Sequence, residues 1–281
     1  MPNPSLNSNA LPRKGTTACA VGLAALIALV LTPTSPARSA APGRVIDVPI
    51  LTYHRVATRR STLPKVTLQL TVSPTAFAQQ MHWLAHHGYH PITVAELYAA
   101  LHGGVPLPAR PVVITFDDGY RDVLTQAAPV LARLRFPAIA FVITGRISGS
   151  DPSFLTWGEL TRLEADGVEI GSHTVTHLDL LAATPSEAYG QLVQSRRTLE
   201  ARLGHPVRWF AYPYGGEDPA VASLVHRAGY LLAMTTQEGA QQSSAAPFAL
   251  HRTEVAGQDT LTDFAWILTH DGLAGVHQPG S

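Results

Sequence analysis

Cysteine is nearly absent: Cys19 is the single one in 281 residues, so no intramolecular disulfide can form and any fold must rest on its core. Charge is also scarce. Only 14% of residues are charged, 20 basic against 20 acidic, with no run of either sign. Binding DNA or RNA calls for a basic stripe that neutralises phosphates, so no nucleic-acid partner is expected. Low charge combined with 46% apolar residues excludes a disordered, self-repelling chain.

Acidic residues are missing altogether before Asp47, while Arg13 and Lys14 precede an apolar stretch over 18–31. That stretch has the length of a signal core (roughly 7–15 residues) and falls short of the roughly 20 needed to span a bilayer. Ser39, Ala40 and Ala41 supply small residues for cleavage. Residues 1–40 are therefore expected to be a secretory signal peptide, with an uncleaved anchor as the alternative. Either places the remainder outside the cytoplasm. Cys19 sits at the start of the apolar run rather than after it, which argues against a lipoprotein attachment site. Losing Arg13, Lys14 and Arg38 leaves 17 basic and 20 acidic residues.

From residue 48 onward, short apolar runs alternate with helical patterns in a βαβ rhythm. Strands are expected at 48–53, 91–94, 112–116, 138–143, 168–171, 209–212, 230–235 and 249–252. Helices are expected at 74–87, 93–101, 121–134, 157–165, 185–203, 219–228 and 260–268. Continuous apolar runs suit parallel strands buried on both faces. No repeat, linker or charge block marks a second domain, so one α/β unit over 45–272 with a tail at 273–281 is the simplest partition. Periodicity alone does not choose between a barrel and an open doubly wound sheet. In both, working residues gather at the carboxyl ends of strands.

Three strand ends carry chemistry. Thr115-Phe116-Asp117-Asp118-Gly119 places two carboxylates together, one to bind a cation and one free to take a proton, and the pleat predicts that they point to opposite sides. Ser172-His173-Thr174-Val175-Thr176-His177 offers two imidazoles four positions apart, able to reach one metal from a helix or a tight loop. Asp118, His173 and His177 then form a two-imidazole, one-carboxylate set that suits zinc and leaves a position for water, with cobalt, nickel or iron allowed by the same donors. Asp117 is the candidate base. Phe210-Ala211-Tyr212-Pro213-Tyr214-Gly215 supplies rings, at Tyr212 and Tyr214, that could stack on a sugar, and a main-chain N–H for an oxyanion.

These motifs, in this order, resemble the polysaccharide deacetylase family, also known as the NodB-homology or carbohydrate esterase family 4 domain, over about residues 49–264. The resemblance implies a distorted (β/α) barrel of about seven strands. It also implies that Asp117 is the base, that Asp118, His173 and His177 are metal ligands, and that Tyr214 donates the oxyanion N–H. The chain departs from the family where many members carry an Arg that braces the base: here Ala211 stands there, and Arg252 is the candidate substitute. The general acid is open among three residues, His54, His251 and His270. The opening Pro49-Ile50-Leu51-Thr52-Tyr53-His54-Arg55-Val56 is similar to the branch containing poly-β-1,6-N-acetylglucosamine deacetylases, where an early His replaces the late one, and this favours His54. The implied activity is metal-dependent N-deacetylation of an N-acetylglucosamine glycan. An O-acetyl esterase and a non-catalytic glycan-binding module are the alternatives. The substrate that the resemblance implies is an N-acetylated glycan, and no protein partner is expected.

Overall fold

The computed structural model describes residues 43–270; the expected signal segment and the tail lie outside the described residues. The central sheet has eight strands: β1 (Ile50–Tyr53), β2 (His90–Pro91), β3 (Pro111–Phe116), β4 (Ala138–Val142), β5 (Val168–Ser172), β6 (Trp209–Ala211), β7 (Leu232–Met234) and β8 (Thr253–Glu254). Hydrogen-bonded neighbours run β7-β6-β5-β4-β3-β1-β8, with β2 beside β3. Every pairing in this sheet is parallel. An isolated parallel bridge joins Met234 to Leu250 just before Thr253 pairs with Leu51, so the segment 250–254 ties one edge of the sheet to the other. The sheet curls into the distorted barrel that the sequence resemblance implies.

Among the described residues six helices connect the strands, α1 (Pro74–His86), α2 (Val94–Gly103), α3 (Ala128–Leu134), α4 (Trp157–Ala165), α5 (Pro185–Leu203) and α6 (Pro219–Arg227), and α7 (Leu261–His270) follows the last; a five-residue helical turn at Lys65–Gln69 precedes them. Their starts are written in the sequence. Thr93, Thr156 and Thr184 each form a capping box with the Glu three residues on, satisfying two orphan N–H groups at once. Gly204 adopts φ 80° and stops α5. The expected helix over 121–134 is not uniform, because Val123–Ala127 is a π turn. Pro129 lacks an N–H and its ring crowds the carbonyl four residues back, which widens the turn ahead of it.

Strand alternation divides the core in two. Leu51, Ile114, Phe116, Ala140, Val142 and Phe210 pack outward under the helices, whereas Ile50, Val113, Ile139, Phe141, Trp209 and Ala211 fill the barrel interior, as the period of two requires. Gly171 in β5 has a packing reason. A Cβ there would run into the Phe141 ring, so the absent side chain lets that ring lie across the barrel. Gly171→Ala is expected to cost about 1–3 kcal/mol through overpacking, read as a lowered unfolding midpoint in denaturant. An unchanged midpoint would show that the ring can move aside freely.

The expected strand at 249–252 is corrected. Leu250 contributes only its single bridge, and the paired residues are Thr253 and Glu254. Chain direction changes there because the segment must cross from one sheet edge to the other.

Candidate active site

The site stands at the carboxyl ends of β1, β3, β5 and β6, with the closing segment above. Asp117 follows the inward alternation of Val113 and Thr115, and its N–H donates to the Tyr53 carbonyl at 2.9 Å. Its carboxylate accepts both arms of the Arg252 guanidinium, Nη1 to Oδ1 at 2.8 Å and Nη2 to Oδ2 at 2.7 Å. Arg252 is 1% exposed, so this is a fully dried, two-pronged pair. Its Nε donates to the Thr235 carbonyl at 2.8 Å, its Nη1 reaches Thr115 Oγ1 at 3.3 Å, and its plane lies over the Phe141 ring. Burial alone would raise the Asp117 carboxyl, but the Arg252 charge overrides it and holds the group well below the usual carboxylate range. Asp117 therefore stays ionised.

Asp118 does not simply take the opposite face of the pleat. Its φ of 76° ends the strand in a left-handed turn, which swings the carboxylate toward the two imidazoles. Asp118 Oδ1 lies 3.6 Å from His173 Nε2 and 3.5 Å from His177 Nε2. That oxygen is buried and has no hydrogen-bond partner. A buried, unpaired carboxylate oxygen is costly, and burial followed by the neighbouring Asp117 charge pushes the group up to about 7.

The histidines stand on a loop rather than a helix. Thr174 and His177 adopt φ 66° and 62°, and His177 N donates to Thr174 Oγ1 at 3.0 Å. From α5, the Gln191 amide oxygen accepts the N–H groups of Val175 and Thr176 at 2.9 and 3.0 Å. On the other side, the Thr174 and Val175 carbonyls accept from Thr144 and Gly145. His173 Nδ1 sits 2.8 Å from the Ala211 carbonyl, which fixes that nitrogen as the donor and leaves Nε2 a lone pair toward Asp118. Burial lowers both imidazoles, His173 to about 4, keeping them neutral and able to coordinate. The three donor atoms lie within 4.8 Å of one another. Two neutral imidazoles and one carboxylate, with an orphaned oxygen between them, fit a divalent cation.

Four non-glycine residues of the site, Asp118, Thr174, His177 and Tyr214, hold positive φ. Such backbone costs on the order of 1–3 kcal/mol each and concentrates at working sites.

The remaining candidates separate clearly. His54 closes β1 with its Nδ1 buried and without a hydrogen-bond partner, and burial lowers its pKa. The Tyr214 ring is exposed and meets His177 edge to face at 4.6 Å. Tyr212 does not join them. It is 1% exposed, its hydroxyl donates to the Phe248 carbonyl at 3.0 Å, and its ring packs against Phe210. The strand alternation turns it into the outer core, so its ring is unavailable to a sugar, and the sequence expectation for it is corrected. His251 alternates with Arg252 and lies against Gly239, away from Asp117. The side chain of His270 lies outside the described residues.

Sequence reasoning missed Gln191 and the Ala211 carbonyl. A Gln on a helix face 15 residues from its targets leaves no local signature, and a carbonyl acceptor is independent of residue type.

Residues 104–233 match the polysaccharide deacetylase family model, and the matched stretch carries Asp117, Asp118, His173 and His177. The Bacillus subtilis (strain 168) protein YxkH is 29% identical over 209 residues, covering 74% of this chain and 71% of that protein. A poly-β-1,6-N-acetyl-D-glucosamine N-deacetylase of Escherichia coli (strain K12) is 25% identical over 70% of this chain, but the match spans only 35% of that enzyme. Among solved structures, the Streptococcus pyogenes deacetylase PplD, in complex with acetate, superposes with a TM-score of 0.73 at 27% identity, covering 81% of this chain and 99% of that one.

Proposed function

We propose that this protein is a metal-dependent N-deacetylase that hydrolyses the acetamido groups of an N-acetylglucosamine-containing glycan to free amine and acetate, outside the cytoplasm. One observation carries the reading: an ionised, dried carboxylate, Asp117, clamped by Arg252 beside a three-donor cation cluster. Binding a glycan requires neither.

Asp118, His173 and His177 would hold the metal, zinc being the best match to two imidazoles and a carboxylate. When bound, it supplies Lewis-acid polarisation of the amide oxygen and lowers the pKa of a water. Asp117 takes the proton of the attacking water at a carboxylate oxygen, while Arg252 keeps that carboxylate oriented and charged beforehand. In this reading the Tyr214 main-chain N–H would donate to the developing oxyanion, and the exposed Tyr214 ring beside His177 offers a face to the sugar. An amide nitrogen leaves poorly as an anion, so it needs a proton as the C–N bond breaks. In this reading His54 donates it: burial makes its imidazolium a stronger acid, and the nearby Asp117 charge opposes that effect. Water adds to the carbonyl carbon, the C–N bond breaks, and amine and acetate leave.

The reading is tested by acetate release from N-acetylglucosamine oligomers, with and without chelator. Release that chelator stops and added zinc restores is expected. His173→Ala should lose both the metal of this cluster and turnover. Retention of the glycan with no acetate released, in a chain carrying metal, would instead indicate a binding module, and release only from O-acetylated sugars would indicate an esterase.

A further inference from the structure

The chain contains a second pair of histidines at the spacing of His173 and His177, and here the pair is helical. His82 and His86 lie in the C-terminal part of α1 (Pro74–His86). Phe77, Met81 and Leu84 of this helix are buried in the core, whereas His82 and His86 are exposed. Side chains four apart on a helix have Cβ atoms about 5–6 Å apart, and two imidazoles so placed can bind one zinc from a single helix face. Neither ring is engaged by a hydrogen bond or an ion pair among the described residues.

The surroundings favour a cation. His86 is the last residue of the helix, where the macrodipole presents its negative end. Beside it, His87 stacks on Trp83 at 3.9 Å, its Nδ1 lies 2.8 Å from the Trp83 carbonyl, and it meets the His86 ring edge to face. This gives the pair a rigid backing. Gln79, Trp83 and Leu261 complete an open hollow of about 680 Å³ whose lining includes no Lys or Arg; the fixed cation nearby is Arg110, whose guanidinium is engaged by the His87 carbonyl at 2.7 Å.

We propose that His82 and His86 form a second site for a divalent transition metal of the zinc, nickel and copper class, separate from the Asp118 cluster. With two protein donors instead of three, it binds more weakly than that cluster and retains water in its other positions. Copper and nickel bind it more tightly than cobalt, following the general order for nitrogen donors.

Equilibrium dialysis of the metal-stripped full chain against nickel tests this. The parent is expected to bind about two ions per chain and the His82→Ala/His86→Ala double variant about one. Alanine is the best helix former, so the variant keeps α1, which circular dichroism verifies. Copper, a quencher of nearby indoles, should dim the Trp83 emission of the parent in a step that the double variant lacks. The His173→Ala chain should still bind at the helix, so the difference of one ion survives even if the Asp118 cluster holds no metal. Equal ion counts in the parent and the double variant, or an unchanged quenching step, would overturn the proposal.

Discussion

Replacing Asp117 by Asn is expected to lower acetate release by about 10²–10⁴-fold, the range that positioned general bases contribute, with metal content unchanged. The isostere keeps the shape of the side chain and one oxygen for Arg252, but it has no lone pair basic enough to take a proton. Metal should remain because Asp118, His173 and His177 supply all three donors of the cluster. The variant also leaves the Arg252 guanidinium, 1% exposed, without a counter-charge, so a lower melting temperature should accompany the lost turnover. Activity should therefore be measured well below that temperature, with metal counted on the same sample. Near-normal turnover in a folded, metal-loaded Asp117→Asn chain would remove this residue from the role of base.

The second large effect belongs to Arg252. Arg252→Met nearly preserves volume and apolar packing on Phe141 but removes every donor to Asp117, Thr115 and Thr235. Breaking one partner of a buried ion pair costs about 3–5 kcal/mol, because the other charge is left unpaired. Turnover should also fall, by about 10²-fold if the freed carboxylate drifts by as little as an ångström.

The pH dependence separates this from a simple packing loss. In the parent, the folded-state pKa of Asp117 is depressed below its unfolded value of about 3.9. The pair therefore contributes stability above about pH 4 and loses it as pH falls through the window beneath. In the variant the Arg252 charge is gone and burial, the largest influence on the group, is opposed only by His173 and His54, so the carboxyl moves upward, and its penalty is largest at neutral pH and eases on acidification. The stability gap between parent and Arg252→Met, measured on metal-free chains by urea denaturation, should thus narrow as pH drops from 7 toward 4 and below. Asp118 titrates as well, and Arg252 lowers it in the parent, so removing Arg252 shifts that carboxyl upward too and narrows the gap in the same direction. A gap constant with pH would reduce Arg252 to a packing residue.

Much of the site was legible in the chain because it is local. Asp117-Asp118 and His173 to His177 are short motifs that each follow an apolar run, and strand ends are where parallel α/β folds collect functional groups. Helix boundaries were legible for the same reason: a Thr with Glu three residues on, a Pro at the first position and a Gly at the end are signals within one turn. The π turn at Val123–Ala127 escaped because its cause, Pro129, acts on the residues before it and leaves the apolar pattern intact.

The sequence by itself determined the candidate donors, the candidate base and the alternation of strand and helix, since these depend on residue type and spacing. Only the tertiary structure decided which side chains converge. It turned Asp118 out of the pleat through a left-handed φ, buried Tyr212 while leaving Tyr214 exposed, and brought Arg252 onto Asp117 across 135 residues. It chose Arg252 over His251 because neighbours in an extended segment face opposite ways, and which way is inward is set by how that segment closes the barrel. Long-range pairing and backbone handedness arise from packing the whole chain at once, so no window of sequence contains them.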